Sequence, residues 1–197
     1  KLLNMEYVQF HPTTLYAKSK EERFLISESL RGEGGKLYNK YRKEFMHNYH
    51  ESGSLAPRDI VARAIHEEML KNGSDHVWLD ISHKKSSWIK NRFPNIYKKC
   101  LEQGIDITNS SIPVVPAAHY SCGGVLVDDK GRTTLRNLWA AGEVSCTGVH
   151  GANRLASTSL LEDVVWGARA GRQISDNIKN SDYYVPEIKE WRYENED

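Results

Sequence analysis

The chain has 197 residues, 39% of them hydrophobic, and a formal net charge of +1. That is enough for one large or two small packed domains, and a charge so near neutral gives no case for a nucleic-acid or acidic partner. Cys100, Cys122 and Cys146 form no CxxC pair and read as reduced thiols of a cytoplasmic protein; no apolar run is long enough for a membrane span and no secretory signal is visible.

The opening "LLNMEYVQF" is rich in β-formers and reads as one strand ended by His11-Pro12. "ERFLISESLRGEGG" reads as an apolar strand running into a glycine-punctuated turn. "APRDIVARAIHEEMLKNG" is the clearest helix. Pro57 stands at its start and Asp59 in its first turn; Ile60, Ala64 and Met69, with Val61, Ile65 and Leu70, recur at helical spacing until Asn72-Gly73 closes it. "DHVWLDIS" is a short strand. "KSSWIKNRFPNIYKKCLEQG" is helical with an interruption at Pro94, and its lysines and arginines read as a solvated face.

Beyond an apolar extended run, "GGVLVDDKGRTTL" is expected to form a hairpin turning at Asp129-Lys130-Gly131, and "NLWAAGEV" a short buried strand ending at Gly142. The helix "SLLEDVVWGARAGRQISDNI" carries an apolar stripe of Leu160, Leu161, Val164, Val165 and Ala168. The chain thus falls into two compositional blocks, the first mixing α and β. The second, from Pro116 to about Ile178, lacks the strand–GxGxxG–helix unit of a complete dinucleotide-binding domain. Both ends read as cut: there is no initiator Met, and the close is polar and broken by Pro186.

Between strand and helix lies "GVHGANRLASTSLLE", Gly148 to Glu162, with Arg154 in a Gly/Asn loop and Ser157, Thr158 and Ser159 at the helix start. Two readings are open. The hydroxyls cap the helix, or the helix start and the arginine bind an anion. Gln9 and His11 sit at a strand end, His119 precedes a glycine pair, Arg58 opens the best helix, and "SESLRGEG" groups Ser27, Glu28, Arg31 and Glu33. Each alone has a structural explanation: a satisfied core histidine, a surface ion pair, a salt-bridged turn. His47 and His50 have a helical metal-ligand spacing without a strong third ligand, so no metal is expected. Taken together, two histidines, two arginines and their hydroxyl and carboxyl neighbours suit a dicarboxylate.

The strings "QFHPTTLY", "SESLRGEGG", "LAPRDIVARAIHEEM", "WLDISHK", "PAAHYSCGGVLVDD" and "LWAAGEVSCTGVHGANRLASTSLLE" occur in this order. In them the chain resembles the succinate dehydrogenase/fumarate reductase flavoprotein family, with "WLDISHK" and "PAAHYSCGGV" leaning towards its aspartate-oxidising members. The resemblance implies an α+β capping domain plus part of an α/β, Rossmann-like FAD-binding domain whose N-terminal dinucleotide-binding half is missing. Residues 1–10 would end the first FAD-domain segment, 11–119 form the capping domain, 120–180 the returning FAD-domain segment, and 181–197 a linker into a truncated helical domain.

The cofactor implied is FAD, and the substrate a dicarboxylate (L-aspartate, fumarate or succinate). The reaction implied is oxidation of L-aspartate to iminoaspartate with oxygen or fumarate as acceptor, feeding quinolinate and NAD synthesis and coupled to quinolinate synthase, with no nucleic acid and no membrane. On matching positions, Arg58 resembles the proton-shuttling arginine; His11, His119 and Arg154, with Gln9, Ser27 and Glu28, resemble the substrate ligands. Glu143, Ser159 and Leu160 resemble the FAD contacts. Ser27 replaces the family's usual threonine and lacks the methyl that restricts its rotamer. A succinate dehydrogenase or fumarate reductase flavoprotein is the alternative, and a non-catalytic folded piece is a reading of another class. The piece alone is expected to be inactive, and the apolar face of its last helix to lack the sheet it packs on.

Overall fold

The computed structural model describes residues 1–16, 23–179 and 187; the expected linker over 181–197 otherwise lies outside them. In chain order the elements are β1 (Leu2–Leu3), β2 (Val8–Leu15), α1 (Glu28–Gly32), β3 (Lys36–Tyr38), α2 (Arg58–Asn72) and β4 (Val77–Asp80). Then come α3 (Ser86–Arg92), α4 (Pro94–Glu102), β5 (Ile112–Ser121), β6 (Gly124–Leu126), β7 (Ser145–Cys146) and α5 (Thr158–Lys179). They build two sheets. One is antiparallel in the order β2-β5-β4-β3; the other runs β1-β6-β7, with β6 antiparallel to β1 and parallel to β7.

The first expected strand divides in two, because Asn4 takes the left-handed φ of 55° that asparagine tolerates better than most residues. Its halves join different sheets. His11-Pro12 does not end β2. The strand runs to Leu15, and its register against β5 slips between Gln9 and Phe10 and again between His11 and Thr14. Pro12 lies in the second irregularity, where no ladder hydrogen bond is required of it.

The apolar run before the glycine turn is not a strand either. Leu25 makes one isolated bridge to Thr14, and Ser27 then caps α1 by accepting from the Ser29 amide. Within helical reach, capping hydroxyl and following residues favour a helical turn over an unpaired strand.

α2 forms as read, closed by Gly73 at φ 54°. It lies on β2 and β5 and buries Val61, Ala64 and Ile65 against a core that includes Leu15, Leu79 and Val114. Its buried Glu68 is satisfied by Asn39, Tyr49 and Asn72. α3 and α4 meet at Pro94 and add Ile89, Ile96 and Cys100 to the same core.

The second block departs further from expectation. The turn at Asp128–Gly131 is made, held by Asp128 N–H to Arg132 O and Gly131 N–H to Asp128 O. The hairpin is not: β6 is flanked by β1 and β7, and the returning Arg132 bridges Trp139 instead. The buried strand expected over "NLWAAGEV" is absent; Leu138 and Val144 are exposed, and the strand is Ser145–Cys146. Segments this short are fixed by which neighbour they pair with, which local pattern does not encode. β1 and β6 approach closely enough that a Cβ on Gly123 would overlap the Asn4 carbonyl.

α5 faces the protein with Glu162, Trp166 and Ala170, one per turn. The apolar stripe points the other way: Leu160, Leu161 and Val164 are 66%, 70% and 70% exposed. Among the described residues nothing lies over it. All three cysteines are buried free thiols, no group of three or more His, Cys, Asp or Glu could hold a metal, and no helix is long and apolar enough to cross a membrane, each among the described residues.

Ile65→Ala leaves a cavity in the α2 core and should cost about 2–5 kcal/mol of unfolding free energy in denaturant titration. Leu161→Ser, on the bare face of α5, should change the midpoint by less than about 0.5 kcal/mol.

Candidate functional site

The irregular pairing of β2 with β5 brings two of the expected histidines together. His11 is fully buried, and its ring meets that of His119 edge to face with centroids 5.3 Å apart. His11 Nδ1 accepts from the Thr13 amide, which leaves its proton on Nε2. Burial, then the guanidinium of Arg58, hold the His11 imidazole down at about 3, so it is neutral at ordinary pH. His119 is lowered by burial and then by Arg154 and Arg58. Its Nε2 lies 3.2 Å from an Arg154 terminal nitrogen. Arginine can only donate, so Nε2 accepts and the His119 proton sits on Nδ1. Both histidines are therefore neutral donors, and the arginines supply the positive charge.

Arg154 is 7% exposed. One terminal nitrogen donates to Ser159 Oγ at 2.8 Å, the other faces His119, and the guanidinium lies 4.2 Å from the centroid of the Tyr120 ring. Its buried Nε has no partner. Among the described residues no carboxylate pairs with it. A buried guanidinium surrounded by a hydroxyl, a neutral imidazole and a ring face is a cation awaiting an anion.

Arg58, at the start of α2, does have a carboxylate: its Nε donates to Glu28 Oε2 at 2.6 Å, while one terminal nitrogen is buried without a partner. Glu28, 39% exposed, also lies 3.8 Å from buried Arg31. Burial lowers Arg31, whose bond runs to the Ser54 carbonyl at 2.6 Å. The result is a chain Arg31–Glu28–Arg58 leading from the α1 turn to the two histidines.

The other expected residues are placed more loosely. Gln9 is buried beside Arg154, but its amide nitrogen is committed to Asn153 Oδ1 at 2.7 Å and the Arg154 carbonyl at 2.6 Å; its oxygen is buried and unpaired. Ser27 uses its hydroxyl on Ser29. Glu143 is exposed and accepts from the Ser121 amide, and Leu160 stands in the open at the head of α5. The helix-start hydroxyls do not cap α5: Ser159 receives Arg154, and Thr158 donates back to the Leu155 carbonyl. His47 and His50 face Glu44 and the Ser52 amide separately.

Sequence reading assigned no role to Tyr120, whose ring lies under Arg154, to its neighbour Asn153, or to His150 and Glu162, which follow on from Tyr120. Each is an ordinary residue in its local context, and only the third dimension groups them.

Compared with known proteins, residues 1–160 match a family described as FAD binding domain. The chain belongs to that family. Among curated relatives, the L-aspartate oxidase of Clostridium perfringens is 52% identical over 188 residues, 95% of this chain and 42% of the relative. The L-aspartate oxidase 1 of Ralstonia nicotianae is 57% identical over 177 residues, 88% of this chain and 32% of the relative. The FAD-binding chain described here thus spans less than half the length of these relatives. Of solved structures, a quinol-fumarate reductase with menaquinol molecules superposes with a TM-score of 0.85 at 35% identity, covering 93% of this chain and 35% of that one. An E. coli quinol fumarate reductase gives 0.82 at 36%, covering 89% and 32%.

An unfolded histidine titrates near 6.5, whereas the fold holds His11 at about 3. Between those values the unfolded chain binds a proton that the folded chain refuses, so the stability present above about pH 6.5 is lost as pH falls towards 3. His119 and His76, also lowered, add to the same slope. His11→Asn should flatten the fall in thermal midpoint between pH 6.5 and 5; an unchanged slope would show that His11 is not held neutral.

Proposed function

We propose that the full-length protein oxidises L-aspartate to iminoaspartate with FAD, oxygen or fumarate serving as final acceptor, and that this chain supplies its dicarboxylate clamp. The observation that carries this reading is Arg154, buried and cationic with no carboxylate of its own. A substrate carboxylate would provide the missing anion by a forked, charge-assisted contact. The second carboxylate would be met by neutral His11 and His119 as donors and by the free terminal nitrogen of Arg58. Ser27 and Glu28 border the same space from α1. Gln9 acts on the substrate through the backbone it holds.

Oxidation at the α-carbon requires one proton to leave the amine as the imine forms. Arg58 is placed to relay it: a proton handed from its Nε to the bonded Glu28 would leave a neutral guanidine to take the amine proton, and Glu28 reaches both Arg31 and solvent. Arginine is ordinarily too basic for such work, and the direct bond to Glu28 is what would let it pass one proton on as it takes another.

The residues present fit part of a flavin. α5 ends in a partial positive charge at Ser159-Leu160, suited to an electron-rich ring edge, and the exposed Glu143 carboxylate suits a sugar or ribityl hydroxyl. The chemistry FAD supplies when bound is acceptance of a hydride from the α-carbon. Clamping both carboxylates fixes which C–H faces it.

The same reading makes residues 11–119 the capping domain and 1–10 with 120–180 the FAD-domain part. In support, the small sheet draws only on residues 2–3 and 124–146, while β2 and β5 are the two strands crossing the boundary. Identity of 52–57% to proteins named L-aspartate oxidase, against 35–36% to the fumarate reductases, favours aspartate over succinate. Iminoaspartate would then be passed to quinolinate synthase for NAD synthesis in the cytoplasm.

Full-length protein mixed anaerobically with L-aspartate should lose its visible flavin absorbance, and with succinate should not; bleaching by succinate alone would make it a succinate dehydrogenase relative. Arg154→Leu should weaken dicarboxylate binding about a hundredfold, roughly 3 kcal/mol. Arg58→Leu should lower kcat by about a thousandfold while dicarboxylates still bind; near-normal turnover would remove Arg58 from proton transfer. The 197-residue chain purified alone should be colourless; stoichiometric flavin would show that the pyrophosphate-binding half is dispensable.

A further inference from the structure

Arg154 is carried by a loop with little packing of its own. Gly148 and Gly151 adopt φ of 83° and 55°, with open space where a Cβ would be, and Val149 and Leu155 are exposed. Such a loop keeps one geometry only through its anchors. Gln9 holds it at Asn153 and the Arg154 carbonyl, and a second anchor is a buried polar cluster between the loop and α5. Glu162, its side chain 2% exposed, bonds His150 Nε2 at 2.6 Å through Oε2. Its other oxygen accepts from the Thr147 hydroxyl. One carboxylate thus fastens both ends of the Thr147–His150 turn.

The cluster reaches Arg154 by two routes. The His150 ring stands edge-on to Tyr120 at 5.5 Å, and Tyr120 is the ring on which the guanidinium rests. Glu162 also lies on the first turns of α5, where Ser159 accepts from Arg154. Both carboxylate oxygens are thereby engaged, one by His150 and one by Thr147.

We infer that His150, Glu162 and Thr147 form a positioning device for the substrate-binding arginine, holding the Arg154 loop on α5. The inference rests on the reading of Arg154 as a dicarboxylate ligand. None of the three residues touches substrate; they act through Tyr120 and the loop backbone.

The test uses full-length, FAD-loaded protein. It measures L-aspartate turnover and the binding of succinate, followed as a perturbation of the flavin spectrum. His150→Leu should raise KM for L-aspartate and Kd for succinate about ten- to a hundredfold, with kcat within about threefold of wild type and flavin content unchanged. His150→Gln, which keeps a donor near the position of Nε2, should recover binding to within about threefold. Unchanged KM and Kd in His150→Leu would overturn the inference, as would a fall in kcat at constant KM or a loss that His150→Gln does not rescue. Should His150→Leu not fold, Thr147→Val removes one bond to Glu162 without altering charge or size; a raised succinate Kd supports the device and an unaltered one overturns it. Wild-type protein that responds to no dicarboxylate would refute the underlying reading, whereas a response weakened by Arg154→Leu but not by His150→Leu would refute the positioning device alone.

Discussion

The structure is organised around a buried arginine that has no carboxylate partner among the described residues. A guanidinium taken out of water is costly unless it is paired and hydrogen-bonded, and Arg154 has a hydroxyl, an imidazole nitrogen and an aromatic face but no carboxylate. The surroundings respond consistently. Two imidazoles nearby are held neutral, so that the site does not accumulate cations it could not tolerate. Arg58 is already matched by Glu28, and Glu162 is committed to His150 and Thr147. Arg31 and Arg58 share the one carboxylate of Glu28 and Arg154 has none among the described residues, so the group carries an excess of positive charge.

The scaffold beneath it is conventional by comparison. The antiparallel sheet with α2 laid across it forms the hydrophobic core, and its irregular β2–β5 pairing aims His11 and His119 towards Arg154. Regular pairing would place successive side chains on alternating faces; a slip of one residue changes which of them reach the site. The irregularity around Pro12 is therefore part of the site's construction, and the same proline that misleads a strand assignment is what lets the strand present His11.

Much of this was legible in the sequence where local rules are strong. α2 announced itself through Pro57, Asp59, its apolar spacing and Gly73, and β4 and the Asp128–Gly131 turn followed from composition. His11, His119, Arg58 and Arg154 were also singled out, each with a structural explanation of its own and suggestive only when taken together. Elements whose existence depends on a distant partner were not legible. β7 is two residues long and exists because β6 runs beside it; the stripe on α5 obeys helical periodicity, yet the helix packs by Glu162, Trp166 and Ala170. The His150–Glu162 pair, twelve residues apart across a loop and a helix start, carries no local signature at all.

α5 is fastened on one flank only, by Trp166 and Arg169 donating to the carbonyls of Asp128 and Asp129, while its apolar flank is bare. Yet that helix provides Arg154 with Ser159 and holds its loop through Glu162. The surroundings of the arginine are therefore only as ordered as the first turns of α5, and those turns carry an exposed apolar face on their other side.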